Sequence, residues 1–385
     1  MAISLPTWNR KREEVEEIDQ DYYVASQWQL VWRRFRKHRL AMFGTSIVLF
    51  MYLTAIFANF FSTMDYQSRH AEFANMPPQP IRFFDAEGNV YLRPFVYQNI
   101  QELNLETLTR EYSPDTSVRY PLGLFVKGDP YNLFGLIEVE RHLFGVVQPD
   151  GVEEPVRFFI FGTDNFGRDL YSRNIHASRI SLSIGFVGVI VSFILGCIIG
   201  GVSGYFGGTT DLLVQRLIEF IISIPTIPLW IALAAALPAD WTSLQVYFGI
   251  TVVLATIGWT TLARAVRGKL LEVREADFVM AAKISNMSNF NIIIFHLLPS
   301  FASYLIVSLT LAIPGMILGE TALSFLGIGI RSPAVSWGVL LQDAQNVRAV
   351  AQTPWLFIPV FFVVITVLCF NFVGDGLRDA ADPYK

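Results

Sequence analysis

Long apolar runs alternate with polar segments along this chain. The first run, residues 41–61, carries no charged residue and is long enough to cross roughly 30 Å of hydrocarbon as a helix. Similar runs follow at residues 181–202, 217–237, 246–262, 299–318 and 354–372. The pattern therefore predicts six membrane-spanning helices.

A polar segment rich in β-prone pieces separates the first two runs. Its stretch IRFFDAEGNVYLRPFVY contains two short β-prone runs on either side of a Gly-Asn turn, a pattern typical of a hairpin. Further pieces of this kind follow, NLFGLIEVE, HLFGVVQ and VRFFIF. We expect an all-α polytopic membrane protein with a small, mostly β insertion between helices 1 and 2.

This pattern divides the chain into four parts. They are an N-terminal segment over residues 1–40, a first span over 41–61, the insertion over 62–160, and a five-helix core over 161–385 with a polar loop at about 263–298. The chain's polar beginning lacks the apolar core of a signal peptide. The first span is therefore predicted to persist as an anchor.

The basic residues predict the orientation of the spans. Five of them directly precede the first run: Arg33, Arg34, Arg36, Lys37 and Arg39. Since basic residues concentrate on the cytoplasmic side, the N-terminus is predicted to be cytoplasmic. Six spans then place the loop at 263–298 and the C-terminus in the cytoplasm as well, and residues 62–160 outside.

Composition agrees with a membrane protein. The chain is 52% hydrophobic and 16% charged, so its apolar residues must face lipid or each other. Its net charge of -4 gives no indication of nucleic-acid binding. Cys197 and Cys369 lie in apolar runs and suggest neither a disulfide framework nor a metal site.

The sequence contains no recognisable catalytic signature. It lacks a G-x-x-x-x-G-K-[ST] loop, H-E-x-x-H, and cysteines at metal-ligand spacing, so a non-enzymatic function is expected. A secondary transporter or channel is one possibility, although the spans lack the ionisable network of a proton-coupled carrier. A membrane-anchored interaction protein acting through residues 62–160 is another.

Several positions within the spans are candidates for packing or function. Gly196, Gly200 and Gly204 form a stripe on one helix face, which favours close helix packing over a role in lining a pore. Glu320 lies near the outer end of the fifth span. It either lines a translocation path or forms an ion pair with an outer arginine such as Arg168 or Arg179.

The polar segment 275–299 predicts a short helix in the cytoplasmic loop. The helix begins near Asp277, whose carboxylate is predicted to cap it. Helical spacing puts Phe278, Ala281, Ala282 and Ser285 on one face. Such a small face with one aromatic suits docking against a partner protein, and a helix lying on lipid is the alternative.

Four motifs, in this order, give the chain a family resemblance. They are RRFRKHRLAMFG, FGTDNFGRDLYSR with ASRISL, GETALSFLGIGI followed by SWG, and NFVGDGLRDAADP. With them the chain resembles the permease subunits of ATP-binding cassette (ABC) importers of the dipeptide/oligopeptide class. The resemblance covers the N-terminal basic stretch and residues 160–385, and does not extend securely over residues 62–160.

The resemblance implies that the cytoplasmic helix is a coupling helix that enters a groove of an ATPase subunit. It places the contacts at Asp277, Phe278, Val279, Ala281, Ala282, Lys283 and Asn286. Two positions depart from the family pattern: Met280 stands where a glutamate is usual, and Asn286 where a glycine is usual. Asparagine tolerates the left-handed backbone that glycine provides.

The resemblance also implies gating positions and partners. The outer-face and gating candidates are Asp164, Gly167, Arg168, Asp169 and Glu320. The implied partners are a second permease subunit, two ATPase subunits that hold ATP and Mg²⁺, an extracytoplasmic binding protein and the bilayer of a bacterial inner membrane; this chain itself holds no cofactor. An oligopeptide is the favoured solute, with oligosaccharides, opines and nickel as alternatives.

Overall fold

The computed structural model describes residues 27–105, 109–148, 155–346 and 351–382. The helices are α1 (Gln27–Lys37), α2 (Arg39–Ile56), α3 (Ala58–Phe61), α4 (Leu170–Phe206), α5 (Gly208–Ser223), α6 (Thr226–Ala235), α7 (Ser243–Val273), α8 (Asp277–Ile284), α9 (Asn289–Ile292), α10 (Leu298–Ser300), α11 (Ala302–Phe325), α12 (Trp337–Gln342) and α13 (Ile358–Ala381). The strands are β1 (Arg82–Phe84), β2 (Val90–Val96), β3 (Asn99–Asn104), β4 (Thr109–Pro114), β5 (Tyr120–Leu133) and β6 (Ile137–Val146).

Five helical segments of the described chain are long and apolar enough to span a membrane. They are α2, α4, α7, α11 and Pro354–Ala381, which contains α13. The predicted third span is a bent pair instead, since α5 and α6 meet at 87°. Pro225 explains the break, because the residue before a proline is pushed out of the helical region, and Ile224 is extended (ψ 129°). Six spans exist only if this pair counts as one.

A stripe of glycines brings α4 and α7 into close contact. A Cβ atom on Gly196 would lie 2.9 Å from the Leu262 side chain, and one on Gly200 would overlap the carbonyl oxygen of Ala263. Gly204 likewise faces the backbone of Arg267. The residue numbers rise together along the two helices, so α4 and α7 run parallel.

The other spans pack antiparallel to their neighbours. Gly44 of α2 contacts Cys369 of α13, and Gly185 of α4 contacts Ile317 of α11. The predicted first span, residues 41–61, is α2 followed by the short α3, with a break at Phe57. Residues 181–202, predicted as the second span, lie inside the 37-residue α4.

A small β domain lies between α2 and α4, as the sequence predicts. Its antiparallel sheet has the strand order β1-β2-β5-β6, and β3 and β4 form a separate hairpin. The predicted hairpin is confirmed: β1 pairs with β2, and the turn between them contains Gly88 with φ +89°.

The N-terminal helix packs against the end of the last span. Phe35 of α1 is buried beside Gly376 of α13, and the Arg34 guanidinium donates a hydrogen bond to the Asp382 carbonyl at 2.7 Å. The basic cluster and the end of α13 therefore lie at the same end of the bundle. Most of the predicted N-terminal segment, residues 1–26, lies outside the described residues.

The glycine contact makes a testable prediction about stability. Gly200→Ala places a methyl group against the Ala263 carbonyl, so α4 and α7 must separate; overpacking of this kind costs about 1–3 kcal/mol. Gly268→Ala on α7 is the matched control, because nothing lies within 4 Å of its Cβ position.

Thermal unfolding of the purified chain in detergent measures the difference. We expect a clearly lower midpoint for Gly200→Ala and no loss for Gly268→Ala. Equal midpoints for the two variants would mean that α4 and α7 are not held this close.

Candidate functional site

The candidate residues gather at the two ends of α4. This helix has 37 residues and is therefore about 55 Å long at 1.5 Å per residue. Its C-terminal end lies beside the predicted coupling helix, its N-terminal end beside the predicted outer-face residues, and the glycine stripe lies between them.

The predicted coupling helix is present as α8. It begins at Asp277, but its N-cap is Ala276 and no side chain caps it. The predicted capping by Asp277 is therefore wrong: this residue lies in the first turn, one position too late to act as the cap. Its carboxylate still stabilises the positive end of the helix dipole.

The two faces of α8 differ sharply. Val279 is fully buried and Ala282 is 6% exposed, and both belong to a cluster that includes Val266 and Leu270 of α7. The prediction that Ala282 lies on the docking face with Phe278 is therefore wrong, because Ala282 follows Val279 by three residues and faces the bundle with it.

The outward surface of α8 is largely apolar. Phe278 is 43% exposed, Met280 41% and Ile284 86%. Ala281, Lys283, Ser285 and Asn286 are also exposed. Met280 and Ile284, four residues apart, extend the apolar surface beyond the face that the sequence predicted.

A left-handed residue ends α8 and the neighbouring side chains attach it to α4. Asn286 has φ +56°, which confirms that asparagine adopts the backbone usually provided by glycine. The Lys283 ammonium lies 5.6 Å from the centre of the Tyr205 ring, within the range of a cation–π interaction. The Tyr205 hydroxyl donates to Asn289 at 2.9 Å.

A second ionic contact at this end escaped the sequence reasoning. Arg267 of α7 donates two hydrogen bonds of 2.5 Å to the two carboxylate oxygens of Asp211 on α5, and Ser203 of α4 donates to the same carboxylate. The bidentate pair joins α5 to α7, and the Ser203 hydroxyl adds α4 to the contact. Its only sequence signal is a lone carboxylate in the first turn of an apolar helix.

At the other end, Asp164 is the centre of a buried ionic cluster. Its carboxylate accepts hydrogen bonds from the backbone N–H groups of Phe166 and Arg168, from the Arg168 side chain at 2.7 Å, and from Arg173. Both arginines also lie within 4.0 Å of Asp343, and burial raises the pKa of the Asp343 carboxyl. The cluster thus joins the loop before α4 to the segment after α12.

Gly167 and Asp169 fix the start of α4. Gly167 has φ +71°, and a Cβ atom there would overlap the carbonyl oxygen of His70, so only glycine fits. Asp169 is the N-cap of α4 and accepts from the Ser172 N–H at 2.8 Å and from the Thr63 hydroxyl at 3.2 Å. Burial raises the pKa of Asp169 to about 6.

Glu320 is fully buried and makes no ion pair with the predicted arginines. Its carboxylate accepts hydrogen bonds from the hydroxyls of Ser181 at 3.1 Å and Ser324 at 2.7 Å. Arg168 is held by Asp164, and Arg179 donates to backbone carbonyls at the end of α2. Both predicted ion pairs are therefore wrong, and Glu320 joins α11 to α4 through the Ser181 hydroxyl.

The two buried carboxylates at the N-terminal end of α4 give opposite predictions for the same Asp→Asn substitution. Asp164→Asn removes the charge that compensates the buried Arg173, and breaking one side of a buried pair costs about 3–5 kcal/mol. Asp169→Asn retains the N-cap, because asparagine caps as well as aspartate. Near pH 7 we expect a much lower unfolding midpoint for the first variant and no loss for the second.

The pH dependence of Asp169→Asn has a definite sign. The folded-state pKa of Asp169 is raised, so the folded wild type binds a proton more tightly than the unfolded chain and gains stability as the pH falls through about 6 towards about 4. The neutral variant lacks this gain. The unfolding midpoint of the variant should therefore fall relative to that of wild type over that window; a constant difference between the two midpoints would contradict the raised pKa of Asp169.

Comparison with known proteins identifies the family. Residues 192–384 match the model of the binding-protein-dependent transport system inner membrane component, and residues 26–78 match the N-terminal TM domain of oligopeptide transport permease C. Among solved structures, an inward-facing MetNI methionine ABC transporter is 19% identical, with a TM-score of 0.41 over 52% of this chain and 93% of that one.

Curated relatives are peptide permeases. The oligopeptide permease OppC of Haemophilus influenzae is 42% identical over 59% of this chain and 70% of its own length, and the dipeptide permease DppC of Bacillus subtilis is 39% identical over 58% and 68%. OppC of Bacillus subtilis is 28% identical over 93% of this chain and 90% of its own, so that alignment extends over most of residues 62–160, further than the motifs alone suggest. The chain belongs to the inner-membrane permease subunits of the dipeptide/oligopeptide class of ABC importers.

Proposed function

We propose that this chain forms half of the membrane pathway of a peptide importer. It pairs with a second permease subunit and with two ATPase subunits that hold ATP and Mg²⁺, and it receives its solute from an extracytoplasmic binding protein. The observation that carries the proposal is the apolar outward surface of α8. The opposite face of this helix is buried against α7 at one end of the bundle.

The directions in which neighbouring helices pack support six membrane crossings. They also support a location of α8 and of both described ends of the chain on the same side of the membrane. Because α4 and α7 run parallel, the chain must cross the membrane once between them, and only α5 and α6 lie there. Trp230 of α6 contacts Gly319 of α11, and Leu237, just after α6, contacts Gly249 near the start of α7. The bent pair therefore acts as the third span in this proposal.

The distribution of basic residues indicates that this common side is the cytoplasmic one. The end of the bundle that carries α1 and α8 also carries Arg264, Arg267, Lys269 and Arg274. By the positive-inside rule this end faces the cytoplasm, and the β domain lies outside. There it stands beside the outer end of α4, where it is placed to contact the binding protein.

Packing contacts connect α8 to the helices of the bundle. Val279 and Ala282 transmit a displacement of α8 to Val266 and Leu270 of α7. The glycine contacts then pass it from α7 to α4. ATP-driven closure of the ATPases would in this way shift the permease between inward-open and outward-open states, a change that requires ATP to favour one of the two.

Met280 bears on the choice of ATPase. The family resemblance places a glutamate at this position, whereas Met280 is exposed one turn before Ile284 and extends the apolar surface of α8. A groove that accepts this helix should therefore be apolar where it meets Met280. We infer that the matching ATPase differs there from one that binds a glutamate.

The docking surface is tested at Ala281, which is exposed on α8. Ala281→Asp puts a charge into the interface without touching the buried face, so ATP-dependent uptake in proteoliposomes should fall about tenfold or more, as expected when a charge is buried unpaired. Ala281→Ser is the matched control and should transport like wild type.

Both Ala281 variants should keep the wild-type unfolding midpoint. Unimpaired uptake by Ala281→Asp would contradict the docking surface while leaving the family assignment intact. Ala282→Asp is unsuitable for this purpose, because its buried position would also destabilise the fold.

The solute class has its own test. The names of the relatives mention oligopeptide and dipeptide transport, and we propose an oligopeptide as the solute. Mass spectrometry of the ligand that copurifies with the matching binding protein should detect peptides; an oligosaccharide or an opine as the sole ligand would contradict the proposal.

A further inference from the structure

The tip of the β5–β6 hairpin packs against the outer end of the first span. The Phe134 ring lies 5.6 Å from the ring of Phe57, the residue that follows α2. The Asn59 side chain donates to the Asn132 carbonyl at 3.4 Å. Further up the hairpin, Phe125 lies 6.1 Å from Phe60. The hairpin therefore runs alongside the chain as it leaves the membrane.

The length of α2 places this tip at the level of the hydrocarbon boundary. The helix has 18 residues and is about 27 Å long, slightly less than the roughly 30 Å thickness of the hydrocarbon core. With Arg39 at the opposite boundary, Phe57 does not extend beyond the core. Phe134, which packs on Phe57, lies at the same depth.

The tip is apolar and exposed. Phe134 is 63% exposed, Leu136 86% and Ile137 61%. Residues 133–137 contain no charge, and Asn132 and Glu138 flank them. Leu53 and Ile56 on α2 are also exposed, so the apolar surface of the tip continues the lipid-facing surface of an established span.

The turn of the β5–β6 hairpin contains a phenylalanine, Phe134, in a left-handed backbone conformation that bulky side chains disfavour. Phe134 has φ +53° and Gly135 has φ +72°. Hairpin turns with this left-handed geometry prefer asparagine, aspartate or glycine, and a β-carbon there is strained. A phenylalanine at this position is explained if its side chain is needed at the apolar boundary.

An apolar groove lies between the tip and the spans. It has a volume of about 580 Å³ and is lined by Tyr52, Ile56 and Leu182 together with Phe134. Arg179 stands at its edge and donates to the carbonyls of Ala55 and Ile56. An apolar floor beside a cationic group matches a phospholipid, with its acyl chain below its phosphate.

We propose that the β5–β6 tip inserts into the phospholipid leaflet on the β-domain side and anchors the β domain there. The inserted residues are Phe134, Leu136 and Ile137. The lipid thereby fixes the tilt of the β domain over the end of the bundle. This anchoring needs neither ATPase nor solute, so it stands independently of the transport mechanism.

The test compares two exposed leucines of the β domain. Leu136→Cys is labelled with an environment-sensitive NBD fluorophore in the full complex, reconstituted in phosphatidylethanolamine and phosphatidylglycerol vesicles, with Cys197 and Cys369 replaced. Leu92→Cys is the matched control: Leu92 is fully exposed on β2, and β2 pairs with the opposite end of β5, where Phe95 faces Pro121. That end is 12 residues from Leu133, and Leu92 lies three residues before Phe95 in the antiparallel pair, which leaves Leu92 roughly 30 Å from the tip along β5.

Two quenchers distinguish lipid, water and protein. Lipids with a nitroxide near the head of the acyl chain should quench the label at Leu136 about threefold more than at Leu92, as expected for side chains buried 5–10 Å into the interface. Aqueous iodide should show the opposite preference. Equal quenching at the two sites would overturn the proposal. So would a label at Leu136 that is shielded from both quenchers, because a partner protein would then cover the tip.

Discussion

The backbones of α4 and α7 lie in close contact along the glycine stripe, and the other helices are arranged around this pair. Lipid is as apolar as the side chains of a span, so no hydrophobic force draws two helices together within it. Contact must come from backbones that approach closely, and Gly200 allows this by leaving room for the Ala263 carbonyl. The two helices run parallel along this contact, which in the proposed topology calls for one crossing between them, and α8 packs beside the end of α4.

The two ends of α4 are held by different chemistry. At the end near α8, apolar packing of Val279 and the bidentate Asp211–Arg267 pair join the surrounding helices. At the other end, Asp164 and Arg173 form a buried pair, which is costly to break because Arg173 would keep only the more distant carboxylate of Asp343. These contacts hold α4 to its neighbours at both ends, as the proposed coupling between α8 and the other end of the bundle requires.

The sequence predicts this architecture well wherever one physical rule dominates. Apolar run length predicts α2, α4, α7 and α11, because hydrocarbon thickness fixes the requirement. Turn chemistry predicts the β1–β2 hairpin and the left-handed Asn286. The third apolar run corresponds to a pair of helices bent by 87°, and hydropathy does not register the bend at Pro225.

The side-chain environments were less predictable. Helical spacing alone does not tell which face of α8 meets the bundle. It therefore predicts Ala282 on the docking face, whereas Ala282 packs against the bundle. Glu320 binds serine hydroxyls rather than an arginine, because partners distant in sequence are not visible in a local pattern. The Asp211–Arg267 pair, 56 residues apart, was missed for the same reason.

If the proposed ATPases act on this permease through the outward surface of α8, cysteines on that surface should cross-link to the partner ATPase in the assembled complex. Single cysteines are placed at Phe278, at Met280 and at the buried Val279. We expect cross-linked product at Phe278 and Met280 and none at Val279. An actively transporting complex without cross-links at either exposed position would contradict this proposal.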